Sequence, residues 1–184
     1  MKQLAFTGID SPDPRFEQLN RWTSLLFNIV CAKRFLETLN DEYRFTEKAS
    51  LNDLIDHQGA FFSFINAYWR CFGQATGRIS LQPSEVFGSD QRLIEIHERI
   101  KEIRHNAVAH NGNSGLDASA IEVMEFEDRF EISQKMAFAF PLHEYEGYLE
   151  ALTALEIYVV DRMNKFSASL TQRLGKPIKI VRDQ

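Results

Sequence analysis

The sequence predicts a mostly α-helical fold, an antiparallel four-helix bundle with a β-hairpin inserted before the last long helix. Three observations carry this reading. Four long stretches repeat apolar residues at three- and four-residue steps, the period of a buried helical stripe. The connections between them are short to moderate, as in bundles whose successive helices lie side by side. One stretch, before the last stripe, alternates apolar and polar residues at the two-residue period of a strand.

The first helix starts in Ser11-Pro12-Asp13-Pro14, where Asp13 can cap free amides and Pro14 at the first helical position gives up a donor without a partner. Its stripe runs through Phe16, Leu19, Trp22, Leu26, Ile29, Val30 and Leu36 and fades near Asn40-Asp41. Ser50-Leu51-Asn52-Asp53 has the form of a capping box and opens a second stripe from Leu51 to Phe72, with Gly77 as its stop. Gly59 within that stripe marks either a close helix approach or a kink. A loop from Arg78 to Gly88 follows, containing Pro83, with Ser84 and Ser89 as capping candidates.

The third helix is the most regular, with Leu93, Ile96, Ile100, Ile103 and Ala107 in register, and ends at Asn111-Gly112. A hairpin over 119–140 pairs runs around Ile121-Val123 and Phe130-Ile132 across Glu127-Asp128-Arg129. The carboxylates Glu122, Glu125, Glu127, Asp128 and Glu131 read as its solvated side. The last helix runs from Leu142 to Leu170 and closes at Gly175-Lys176-Pro177. Residues 1–13 form an N-terminal arm and 176–184 a tail, on one domain spanning 1–184.

Composition narrows the function classes. Apolar residues make up 44% and charged residues 26% of the 184, the balance of a packed globular chain. The 21 basic and 26 acidic side chains leave a net charge of −5, which disfavours a surface that coats long nucleic acid but permits a local phosphate site. Cys31 and Cys71 lie in apolar helical stretches without metal-type spacing, so reduced core thiols and a cytoplasmic location are expected. No signal-peptide pattern opens the sequence, and its most apolar window, Gly59 to Phe72, is too short for a bilayer and carries Asn66 and Arg70, so no membrane partner is expected.

The densest cluster of chemically able residues ends the third helix, in Ile103-Arg104-His105-Asn106-Ala107-Val108-Ala109-His110-Asn111-Gly112. Arg104 can grip two phosphate oxygens at once, and His110 can exchange protons near neutrality. On an ideal α-helix they stand about 120° apart around the axis and ~9 Å apart along it, so a site using both assembles more easily where two copies of this helix meet. Each has a structural alternative: His110 as a cap of terminal carbonyls, Arg104 as the ion-pair partner of Glu98 or Glu102.

The stretch resembles the signature of the HEPN superfamily (higher eukaryotes and prokaryotes nucleotide-binding). That signature is an arginine, a polar residue directly after it, and a histidine a few positions on, here Arg104, His105 and His110. The family places it near the end of a long helix in an antiparallel bundle. The resemblance implies a homodimer through the third helix and a composite cleft acting as a metal-independent endoribonuclease. Arg104 and His110 would be catalytic, with His105, Asn106 and Asn111 supporting or binding substrate. It implies no cofactor, RNA or a nucleotide as ligand, and a toxin or phage-defence role with an antitoxin as protein partner. The alternative is a non-catalytic HEPN-like dimer serving as a nucleotide-binding or protein-interaction module.

A metal site has weaker grounds. Glu102 and His105 have the Glu-x-x-His spacing of bundle di-iron proteins, but such sites need two of these motifs, and Arg104 repels a cation. His57, His97 and His143 are expected on solvated surface, as are Arg15, Arg21, Lys33, Arg34 and Arg44 along the first helix. The phenylalanines on the helical stripes are core before they are stacking platforms.

Overall fold

A computed structural model describes residues 14–42, 50–74, 79–109, 117–138 and 141–178 of the chain. The fold is mostly helical with one two-stranded antiparallel sheet. The helices are α1 (Pro14–Glu42), α2 (Leu51–Trp69), α3 (Pro83–Phe87), α4 (Gln91–Ile103) and α5 (Tyr145–Leu174). A π-helical turn, Arg104–Ala109, continues α4, and a 3₁₀ turn, Leu142–Glu144, leads into α5. Strands β1 (Asp117–Glu125) and β2 (Phe130–Phe138) form the hairpin.

Helix α1 packs against α2 and α5, and α4 against α5 and α2. The α1–α5 pair is antiparallel: Arg15 donates to Ser169 at 3.0 Å, Trp22 lies beside Phe166 and Tyr158, and Lys33 pairs with Glu156. The last contact corrects the expectation of a solvated Lys33, whose long stem reaches across to the neighbouring helix. The α4–α5 pair is also antiparallel, with Arg92 on Glu150 at 2.5 Å and Arg99 on Glu144 at 3.4 Å. Between those ion pairs Gly147 faces Ile96, whose Cδ1 would stand 2.9 Å from an added Cβ. Among the described residues no helix is long and apolar enough to cross a membrane.

The core is one cluster drawn from all five helices, including Trp22, Ile29, Leu36, Phe64, Tyr68, Ile100, Leu152 and Leu155. On α1 the buried stripe takes Leu25, Ala32 and Leu39, while Val30 turns outward to 51% exposure. The expected capping box is present: Asp53 N–H donates to Ser50 Oγ at 3.2 Å, and Ser50 N–H to Asp53 Oδ2 at 2.7 Å. The Ser50 bonds hold the Asp53 carboxyl below its usual range. Gly59 is exposed with open space at its Cβ position, which removes the close-approach reading.

Three element boundaries depart from expectation. Helix α2 ends at Trp69 rather than running on, because Cys71 N–H and Phe72 N–H donate to Tyr68 O and Trp69 O in a tightened last turn. Leu81 N–H then bonds Cys71 O, and Ser80 Oγ bonds Phe72 O at 2.6 Å, turning the chain back. The expected stop at Gly77 lies outside the described residues, as do the Asp13 cap and the Asn111-Gly112 end. Within the expected loop, α3 forms on Pro83 at its first position, held by buried Phe87 and ended by Gly88 at φ +59°. The caps are Gln82 for α3 and Asp90 for α4, where Leu93 N–H donates to Asp90 Oδ1 at 3.1 Å, rather than Ser84 and Ser89. Gly175, at φ +64°, closes α5 as expected.

The hairpin starts two residues earlier than expected, in the register Val123 opposite Ile132. Ile121, Val123, Ile132 and Phe130 share one face, yet all are 53–66% exposed. Alternation gave the hairpin its two faces, but the strands' extensive contacts are with each other rather than with the helices.

Candidate functional site

Helix α4 carries two kinds of polar residue on its inward side. Leu93, His97, Ile100 and Arg104 follow at steps of four, three and four, so they share one stripe. His97 is 2% exposed, not on solvated surface as expected. Tyr68 Oη lies 3.0 Å from its Nδ1, and the rings of Trp69, Phe72 and Phe87 surround it. Burial lowers the His97 pKa, with Glu98 opposing and Lys101 adding to the shift. Burial likewise raises the Tyr68 phenol well above its usual value. The signal was in the sequence, since His97 stands four residues after Leu93 and three before Ile100.

Arg104 ends the stripe. Its neighbour Ile103 is buried and anchors the end of α4. Its backbone N–H is shared between Ile100 O and Lys101 O, and from there the chain widens into the π-helical turn, which packs against α2. No glycine or proline interrupts this turn, and such turns recur at functional sites. The ideal α spacing between Arg104 and the following residues therefore does not hold here.

The carboxylates nearest in sequence are engaged elsewhere. Arg99 Nη1 holds Glu102 at 2.8 Å and its Nε lies 3.4 Å from Glu144, while Lys101 holds Glu98 at 2.6 Å. Tyr148 donates to Glu144 at 2.5 Å, and burial first, then this bond, raises the Tyr148 pKa. The ion-pair alternative for Arg104 through Glu98 or Glu102 is thus not realised. Arg104 is half-buried, and among the described residues its Nε is a buried donor without an acceptor. A buried unsatisfied donor of this kind costs stability, which is a reason to look for a ligand.

His105 and Asn106 follow on exposed positions of the π-helical turn. His110 and Asn111 lie outside the described residues. His143 is exposed beside Glu144, and His57 is half-buried on α2. Among the described residues no three His, Cys, Asp or Glu side chains converge as a metal-binding group. Cys31 and Cys71 are free thiols, and burial pushes Cys71 up to about 12.

A second concave region lies away from α4. A groove of about 700 Å³ runs between the first half of α1 and the turn after α2, with Arg70 and Ile79 on the far wall. No local sequence pattern marks it, because its two walls stand 42 to 62 residues apart in the chain. Comparison with protein families, curated proteins and solved structures finds no match to this chain.

Proposed function

We propose that the end of α4 carries a HEPN-like, metal-independent ribonuclease centre built on Arg104 and His110. The observation that carries this reading is Arg104 itself, a half-buried guanidinium whose Nε is unsatisfied among the described residues, at the start of a π-helical turn, its neighbouring carboxylates committed to Arg99 and Lys101. A phosphate would meet the positive charge of this guanidinium. The packing of α1, α2, α4 and α5 supports an antiparallel four-helix bundle as the frame. A homodimer through α4 would join two such ends in one cleft of a cytoplasmic protein, a toxin or defence component held by an antitoxin.

The chemistry needs no cofactor. An RNA 2′-hydroxyl attacks the adjacent phosphorus while an imidazole, His110, takes its proton. Arg104 stabilises the added negative charge on the phosphoryl oxygens. The bond to the 5′-oxygen breaks, that oxygen collects a proton from the imidazolium of a second His110, and the products are a 2′,3′-cyclic phosphate and a 5′-hydroxyl. His105 and Asn106 sit where they can orient the strand.

The test is incubation of wild type, Arg104→Ala and His110→Ala with mixed RNA in chelator, reading cleavage and end chemistry. Cyclic phosphate ends from wild type, lost in both variants, support the centre. Wild type that leaves every RNA intact removes the nuclease reading.

A further inference from the structure

The groove between α1 and the end of α2 has an unusual set of walls for an acidic chain. On α1, Asn20, Arg21, Ser24 and Asn28 lie at helical steps along one face, with Phe27 at the rim. Its floor is fixed by the core, where buried Leu25 meets Cys71, the thiol Sγ 4.0 Å from Leu25 O. Across from α1 stands Arg70, the residue that caps α2. The site is therefore set between a packed helix and the turn that follows α2.

Three features of the groove point to one ligand chemistry. Phe27 is 67% exposed although neighbouring Leu25 is buried, so an aromatic face is offered to solvent at the rim. Arg21 is held by Glu17 at 2.7 Å, which neutralises the groove's carboxylate, while Arg70 meets no carboxylate among the described residues. Among the described lining residues one positive charge is left over, in a chain of net charge −5. The Asn20 and Asn28 amides offer both donors and acceptors, while the Ser24 hydroxyl donates to Asn20 O and keeps its acceptor capacity. A flat base stacks on an aromatic face, an amide reads a base edge, and a guanidinium holds a phosphate.

We propose that this groove binds a nucleoside phosphate, with the base on Phe27, its edge on Asn20 or Asn28, and the phosphate on Arg70. The ligand is either a free mononucleotide or one unit of a single RNA strand, since both present the same base and phosphate. Among the described lining residues none belongs to α4, so the groove is a site separate from Arg104 and does not rest on the nuclease reading.

Binding of a labelled, single-stranded 2′-O-methyl RNA, which lacks the attacking hydroxyl, tests this without interference from cleavage. Fluorescence anisotropy reads its affinity for wild type, Phe27→Ala, Arg70→Ala and Arg104→Ala, with adenosine 5′-monophosphate as competitor. Phe27 is expected to matter most, its alanine variant binding roughly 5- to 160-fold more weakly, the range of base-aromatic stacking. Arg70→Ala is expected to weaken binding and to reduce the salt slope by about 0.7. Competition by the mononucleotide, lost in the same two variants, assigns the groove to free nucleotides, and its absence assigns it to a strand. Wild type that binds neither probe, or both groove variants binding as wild type does, overturns the proposal. Groove-dependent binding by a wild type that cleaves no RNA leaves this site standing and removes the nuclease alone; cleavage by wild type with binding indifferent to Phe27 and Arg70 does the reverse.

Discussion

The Tyr68 hydroxyl and His97 Nδ1 lie 3.0 Å apart in the core and join α2 to α4 by a buried polar contact. The rings of Trp69, Phe72 and Phe87 close around His97 and keep water out. Each partner satisfies the other, so losing one strands a buried polar atom. Tyr68→Phe is expected to lower stability by about 1–3 kcal/mol. The double variant Tyr68→Phe, His97→Leu should lose less than the two single losses combined, as chemical denaturation of all four proteins would reveal.

The same contact makes stability depend on pH. The folded His97 pKa lies below the unfolded value of about 6.5, so the unfolded chain takes up the proton first as pH falls. The stability from neutral His97 is therefore full above about pH 6.5 and declines as pH drops towards the lower folded pKa. Denaturation midpoints at a series of pH values should fall through that window in wild type and fall less in His97→Gln, which does not titrate. An identical slope in both proteins would assign the loss to other groups.

Arg104 is expected to cost the fold more than it gives. Arg104→Met removes a buried donor that has no acceptor among the described residues and keeps an unbranched apolar stem, so stability should be unchanged or higher by up to about 1 kcal/mol. RNA cleavage should be lost in the same variant. A large drop in melting temperature would instead make Arg104 a structural residue.

Gly147 sets the approach of α4 to α5. Gly147→Ala gains about 1 kcal/mol of helix propensity and displaces only Ile96 Cδ1, the far end of a flexible side chain, so the net effect should be small. Gly147→Val adds bulk that Ile96 cannot clear and should cost about 1–3 kcal/mol. Paired thermal melts separate the two.

The hairpin should be dispensable for the helical body. Its strands pair chiefly with each other, and its apolar face of Ile121, Val123, Ile132 and Phe130 is exposed. Replacing 117–138 by a short glycine-serine linker should leave helical circular dichroism in place and the melting temperature within about 2 °C. Collapse of the helical signal would mean that the body depends on it.

Much of this molecule is written locally. The apolar period placed α1, α2, α4 and α5, the Ser50 to Asp53 spacing placed a capping box, Gly175 placed a helix end, and alternation around Val123 and Ile132 placed the hairpin. These features depend on residues a few positions apart, so the sequence by itself determined them. The Arg104 to His110 stretch was legible as a concentration of chemistry for the same reason.

Tertiary structure decided what depends on distant partners. Whether Arg104 is paired turns on Arg99 and Lys101 taking the nearby carboxylates, with Glu144 of the following segment drawing Arg99 further across. The spacing from Leu93 and Ile100 puts His97 on the inward stripe, but the partners that close over it, Tyr68, Phe72 and Phe87, come from other elements. The groove exists only where α1 meets the turn at Arg70, a juxtaposition no local pattern encodes. Periodicity fixes which face of a helix turns inward, whereas the partners that meet it are selected by packing across the whole chain.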